Sequence, residues 1–214
     1  LTPESDTKEV EVITNSIVVH HYPDSNKSRS SYLPLLELSV EEDPLDDRNM
    51  HYLGREYMYY QKWDECIHTL HKHLKLPKAL WKDERAASMR FMARSYQAKD
   101  YIEEAKMWYQ KAIEEAPYLR EGYIELGALE YHYKEFEHAY QHLKSALQIK
   151  EKSASYINEV FAWNEYLYDL LSLVCYELGF YEESYLYGKK ALEMNEEDDR
   201  LQKNLEYISS LLML

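Results

Sequence analysis

Residues 89–117 read MRFMARSYQAKDYIEEAKMWYQKAIEEAP, and residues 123–151 read YIELGALEYHYKEFEHAYQHLKSALQIKE. Set against each other at a shift of 34 residues, the two stretches keep the same kinds of residue in phase. Met89, Met92, Ala93 and Tyr96 fall on Tyr123, Leu126, Gly127 and Glu130. Ala105, Tyr109, Ala112 and Pro117 fall on Ala139, Leu143, Ala146 and Glu151. Large residues at i, i+3 and i+7 make a helical stripe. Small residues between them (Ala93, Gly127, Ala105, Ala139) let two helices approach closely. A unit of this kind cannot bury its apolar face alone, so units must stack, and stability becomes roughly a sum over units and their interfaces.

The pattern resembles the tetratricopeptide repeat (TPR), a 34-residue helix–turn–helix unit reading W-x2-L-G-x2-Y, then A-x3-F, then P. Two more copies fit. Upstream, Met50, Leu53, Gly54, Tyr57, Cys66 and Leu70 match in order, with Pro77 near the last slot; downstream, Tyr168, Leu171, Ser172, Cys175, Ser184 and Ala191 match more loosely. Cys66 to Ala105 is 39 residues, and a turn around Leu76-Pro77-Lys78 takes up the excess. Ala146 to Ala191 is 45, and the extra residues, within Lys150 to Trp163, are expected to lengthen one or both helices there. Paired helices are expected to start near Asp47, Ala86, Arg120 and Glu165. The expected fold is therefore an all-α, TPR-type α-solenoid of about four helix pairs over residues 31–197. A capping helix over 198–214 follows, with Leu201, Leu205, Ile208, Leu211 and Leu212 on one face, and an extended segment over 1–30 precedes.

Composition excludes several classes of function. Only 5 of the 214 residues are Gly, and neither G-x-G-x-x-G nor G-x-x-x-x-G-K-[ST] occurs, so no nucleotide-cradling loop is readable and no cofactor is expected. Lys+Arg number 25 against 39 Asp+Glu; a net charge of -14 repels phosphate and speaks against nucleic acid as a partner. A mean hydropathy of -0.66 and the lack of a long apolar run speak against membrane insertion. Cys66 and Cys175 lie far apart and read as buried thiols of a reducing, cytoplasmic setting. The chain starts at Leu1 rather than Met, which points to a processed chain or a piece of a longer one.

The β-branched run Val10 to His20 predicts one or two short strands, followed by a polar loop from Tyr22 to Ser31 and a helix from about Ser31 to Glu42. The order from Ile13 onward is a strand ending in His20-His21, a loop with Lys27 and Arg29, the run Tyr32 to Glu37, Glu41 to Pro44, and a first repeat opening at Tyr52. It looks like the junction in bacterial family-2-type glycosyltransferases where the catalytic domain ends and C-terminal TPRs begin. That resemblance implies a preceding α/β domain with a D-x-D motif on a divalent metal, and a His near the domain's end, at the place of His20 or His21, completing the site. No D-x-D occurs in this chain, and one imidazole cannot hold Mn2+ or Mg2+. Catalysis by this chain alone is not expected, and no metal is expected in it unless an intact glycosyltransferase domain precedes.

In TPR arrays the inner wall comes from the first helix of each unit. That places Arg48, His51, Arg55 and Tyr59 on the wall from the first unit, Arg90, Arg94 and Gln97 from the second, and Tyr131 from the third. Four of the eight Arg thus converge on one face of an acidic protein. Arg forks bind carboxylate or phosphate in bidentate fashion. Two readings stay open: the arginines receive a ligand, with Arg55 and Arg94 dominant, or they pair with Glu56, Glu84 or Glu121 and stiffen the array. His138 and His142 stand at i, i+4 with no third ligand evident, and His68, His71 and His73 read as solvated surface.

The function expected is a protein-interaction module whose groove takes an acidic or phosphorylated segment, as the C-terminal part of a glycosyltransferase. The alternatives are a stand-alone TPR adaptor, or self-association through apolar end faces such as the Leu211 to Leu214 tail.

Overall fold

The structure, a computed structural model, describes residues 32–212. The strands expected within Val10 to His20, the His20-His21 pair, the polar loop, the 1–30 segment and the end of the Leu211 to Leu214 tail lie outside the described residues. Helix α1 (Tyr32–Glu42) leads into α2 (Asp47–Tyr59), whose start is fixed by Asp46: its carboxylate accepts the Asn49 amide at 2.8 Å. There follow α3 (Trp63–His73), α4 (Lys82–Ala98), α5 (Ile102–Glu115), α6 (Arg120–His132), α7 (Phe136–Gln148), α8 (Tyr166–Glu177), α9 (Tyr181–Met194) and α10 (Asp199–Leu212). All the regular structure among the described residues is helical. Helix α4 starts a turn ahead of the expected Ala86, because Asp83 and Glu84 place negative charge on its first turn, where free amides favour it.

Four hairpins carry the array: α2 with α3, α4 with α5, α6 with α7, and α8 with α9. The turn inside each has one design. Gln61, Asp100, Lys134 and Gly179 adopt positive φ (57°, 63°, 63° and 76°), and the next amide bonds back to a carbonyl in the preceding helix, as Lys62 to Tyr57 at 2.9 Å and Phe180 to Cys175 at 2.8 Å. These residues step by 39, 34 and 45, the spacing of the sequence repeat. The backbone therefore keeps the register that the small residues announce. Only the last of the four is Gly, so three L-residues carry a left-handed conformation that costs roughly 1 kcal/mol each. Lys134→Gly is expected to raise stability by about 0.5–1 kcal/mol, and Gly179→Ala to lower it by about as much, since a Cβ there meets nothing within 4 Å. Urea unfolding of both variants checks this; shifts of the same sign would contradict it.

Packing follows the small positions. A Cβ on Gly127 would stand 2.8 Å from Leu143 Cγ, and one on Gly54 would strike Leu70, so these helices meet at the closest approach the backbone allows. One cluster runs from Met58, Cys66 and Leu70 through Met92, Tyr109 and Leu129; a second joins Ile124, Leu143, Leu167 and Val174. A smaller one, Leu33, Leu36 and Leu53, seats α1 on α2. At the far end α10 packs on α9, and Arg200 grips Asp169 of α8 through two bonds of 3.0 and 2.9 Å. Arg85 pins the 74–81 linker by donating to the Leu74 and Ala79 carbonyls at 3.0 and 3.1 Å, which holds the five-residue excess as a turn.

The excess in the 149–165 interval does something else. It lengthens neither helix. Helix α7 stops at Gln148, Ile149 turns extended, and Val160–Ala162 is a single 3-10 turn before α8. Ser155 Oγ takes its own loop's Ile157 amide, and Asn158 Nδ2 donates to the Ser153 and Ser155 carbonyls at 2.6 Å each. Such local side-chain bonds satisfy the backbone outside a helix, which is why the segment stays irregular.

Candidate functional site

The first helices touch across units, α2 with α4 and α6 with α8, and so line the inner wall. The irregular segment crosses that wall as a strap. Arg120 ties its two ends: Nε and Nη2 donate to the Ile149 carbonyl at 2.9 and 2.6 Å, Nη1 to the Ala162 carbonyl at 3.2 Å, and the guanidinium lies 3.9 Å over the Trp163 ring. Between these anchors Ser153 Oγ donates to Asp83 at 3.0 Å, and the Tyr156 hydroxyl donates to Glu84 at 3.0 Å. The Tyr156 ring stands 5.3 Å from Trp81 and 6.4 Å from Tyr52, centre to centre. The Glu159 amide donates to Glu121 at 3.0 Å. Its carboxylate takes Arg90 Nη2 at 2.9 Å and Arg94 Nη2 at 2.7 Å.

Arg90 and Arg94, both expected on the wall, are there and are already engaged. Arg90 Nη1 donates to Glu125 at 2.9 Å, and Arg94 Nε bonds the other oxygen of the same carboxylate. Two guanidiniums and two carboxylates thus close a neutral square in which the Arg90 side chain is 3% exposed. Burial disfavours the Arg94 charge, but Glu125 and Glu159 outweigh it and raise its proton affinity. Burial likewise pushes the Glu159 carboxyl up, and Arg90 and Arg94 together hold it below the usual carboxylate range. The partners are not the expected Glu56, Glu84 or Glu121. Glu125 sits on the next first helix, close to one period beyond Arg90 and Arg94, so the repeat itself could have pointed to it. Glu159 carries no periodic signal.

The other expected residues divide. Arg48, Tyr59 and Gln97 are exposed, and Gln97 Oε1 accepts the Tyr109 hydroxyl at 3.3 Å. Arg55 is half-buried, 4.8 Å over the Tyr52 ring, and its Nε is a buried donor with no hydrogen-bond partner. Tyr131 is half-buried beside Phe136. His51 faces inward at 1% exposure, and burial drops its pKa to about 3, so it is a neutral imidazole that a segment lying in the groove does not touch. His73 is also wholly buried, which corrects its reading as solvated surface; a short linker after α3 folds α4 over it. His142 bonds Glu130 at 2.8 Å, and His138 stands 3.8 Å from Glu135, so acidic neighbours exist that the i, i+4 spacing alone did not show.

The two thiols are buried and unbridged, and burial pushes each up to about 12, which leaves them unreactive. No helix among the described residues is long and apolar enough to cross a membrane.

No family model matches this sequence, and no curated protein matches it either. Solved structures do. A crystal structure of MamA superposes with a TM-score of 0.61 at 20% identity, covering 82% of this chain and 97% of that one. TTC0263, a thermophilic TPR protein of Thermus thermophilus, gives 0.53 at 19% identity over 86% of this chain and 91% of that one. The first TPR of Spaghetti (RPAP3), bound to the HSP90 peptide SRMEEVD, gives 0.52 at 18% identity, covering 62% and 96%. The hairpins, their common turn and these likenesses together give this chain the fold of a TPR-type α-solenoid.

Proposed function

We propose that the chain is a protein-interaction module whose inner wall receives an extended acidic or phosphorylated segment at the α2 end, on Arg55 with Arg48 beside it. The observation that carries this reading is Arg55 Nε, a buried guanidinium donor without a partner on a wall where Arg90 and Arg94 hold carboxylates. A buried unmet donor costs about 1–3 kcal/mol, which a carboxylate recovers once the half-buried Arg55 side chain turns toward it. The strap supports the binding mode, because a non-helical segment of this same chain lies on the wall and gives a carboxylate to two arginines. The Tyr52 ring, 4.8 Å from the Arg55 guanidinium, backs the receptor with an aromatic face. Arg90 and Arg94, already engaged by Glu125 and Glu159, would join the receptor only where a ligand displaces the strap.

The peptide in the RPAP3 structure, SRMEEVD, has the acidic chemistry proposed here. The buried thiols fit a cytoplasmic setting. The glycosyltransferase context rests on the resemblance of residues 13–36; a D-x-D domain in the reading frame upstream of Leu1 would support it, and a start codon there would argue for an adaptor.

Arrays of acidic and phosphorylated peptides, followed by titration of the strongest binders, test the proposal. Arg55→Ala is expected to weaken binding about ten- to a hundredfold, the loss of a charge-assisted contact of roughly 1.5–3 kcal/mol, with the fold intact. Binding should also weaken with salt. Unchanged affinity in Arg55→Ala would overturn it.

A further inference from the structure

Where the first hairpin meets the second, three helices each contribute one potential metal ligand to the interior. His51 comes from α2, His73 ends α3, and Glu84 lies in the first turn of α4, at 1%, 0% and 3% exposure. One ligand atom from each falls within 4.8 Å of the other two. His73 Nε2 stands 3.3 Å from Glu84 Oε1, about the separation of two ligands sharing a tetrahedral ion, yet it makes no hydrogen bond there. It is thus a buried polar atom aimed into the cluster without a partner.

The surroundings match what a metal site needs. Ser88 Oγ lies 2.7 Å from His51 Nδ1 and 3.0 Å from His73 Nδ1, which leaves the Nε2 of each ring for an ion. With both Nε2 atoms on a metal, both Nδ1 atoms carry protons, and the two lone pairs of one hydroxyl can accept them. Such outer hydrogen bonds orient the imidazoles of metal sites. On the other side the Tyr156 hydroxyl donates to Glu84 Oε2 at 3.0 Å, holding the carboxylate in place. Arg55 and Arg90 are the nearby cations, and both act on His51.

We propose that His51, His73 and Glu84 form a site for a divalent transition-metal ion, zinc above all, that fastens the first hairpin to the second. Two nitrogens and one carboxylate suit Zn2+ with water in the fourth position, and suit Mg2+ or Ca2+ poorly. The ion would close the 74–81 linker between His73 and Glu84 and, through Tyr156, hold the strap to the wall. Its role is structural.

The test uses the whole chain, stripped with chelator and desalted. Zn2+ is titrated in competition with a chromophoric chelator, and Co2+ is added separately as a spectroscopic probe. One equivalent of Zn2+, an EDTA-reversible rise in melting temperature and the intense visible bands of four-coordinate Co2+ are expected. His73→Gln and Glu84→Gln should each weaken Zn2+ binding at least about 100-fold, and Ser88→Ala about tenfold. His138→Ala, at the exposed edge of the second cluster, Glu130, Glu135 and His138, should leave it unchanged. No uptake by the parent chain overturns the proposal, as do the weak bands of six-coordinate Co2+, binding that survives both ligand variants, or binding lost in His138→Ala. Should the ligand variants fail to fold, the parent's stoichiometry and Co2+ spectrum decide.

Discussion

Arg90→Ala should destabilise the fold by about 3–5 kcal/mol, a large share of the stability of a domain of this size. The Arg90 side chain is 3% exposed and bonds both Glu125 and Glu159. Removing it leaves two carboxylates within reach of one remaining guanidinium, Arg94, whose side chain is 25% exposed. The cost is the penalty of uncompensated charge rather than the worth of the pair. Neutralising one of those carboxylates should therefore return part of it: Arg90→Ala combined with Glu159→Gln is expected to be more stable than Arg90→Ala alone. Urea unfolding of the single and double variants measures both quantities. A single-variant loss below about 1 kcal/mol, as for an exposed pair, would show that water screens the square.

Arg120→Ala is expected to free the strap, at a cost of about 2–4 kcal/mol. Its side chain bonds the Ile149 and Ala162 carbonyls and covers the Trp163 ring, so its loss orphans two carbonyls and removes a cation–π contact. Arg120→Lys should not rescue, because an ammonium cannot serve two carbonyls in the planar fork geometry. The effect should be local. Amide exchange should rise across 149–165, and trypsin should cut faster after Lys150 and Lys152, while α4 and α5 keep their protection. Uniform loss of protection along the chain would mean that Arg120 supports the array rather than the strap.

These two arginines mark the border of what the sequence makes legible. The hairpins are written in local periodicity: Gly127 against Leu143 and the left-handed turn at Lys134 each lie within a few turns of the residues that demand them. The wall was legible for the same reason, since unit positions place Arg55, Arg90 and Arg94 on one face. What fills it was not. The residues between Lys150 and Trp163 carry no period, and their destination is set by partners about 30 to 70 positions away, such as Arg120 for Ile149 and Arg90 for Glu159. The His51, His73 and Glu84 cluster was hidden for a related reason. His51 reads as a wall residue, Glu84 as an arginine's partner and His73 as solvated surface, and only the fold of the linker buries the three together.

The central claim is that ligands enter on the inner wall at the α2 end. Hydrogen–deuterium exchange of the whole chain, with and without an acidic peptide chosen from the array, tests it most directly. Added protection is expected on α2, from Asp47 to Tyr59, and on the adjoining inner face of α4, and it should vanish in Arg55→Ala. Protection gathered instead on the outer helices α3, α5 and α7, or undiminished in Arg55→Ala, would contradict it.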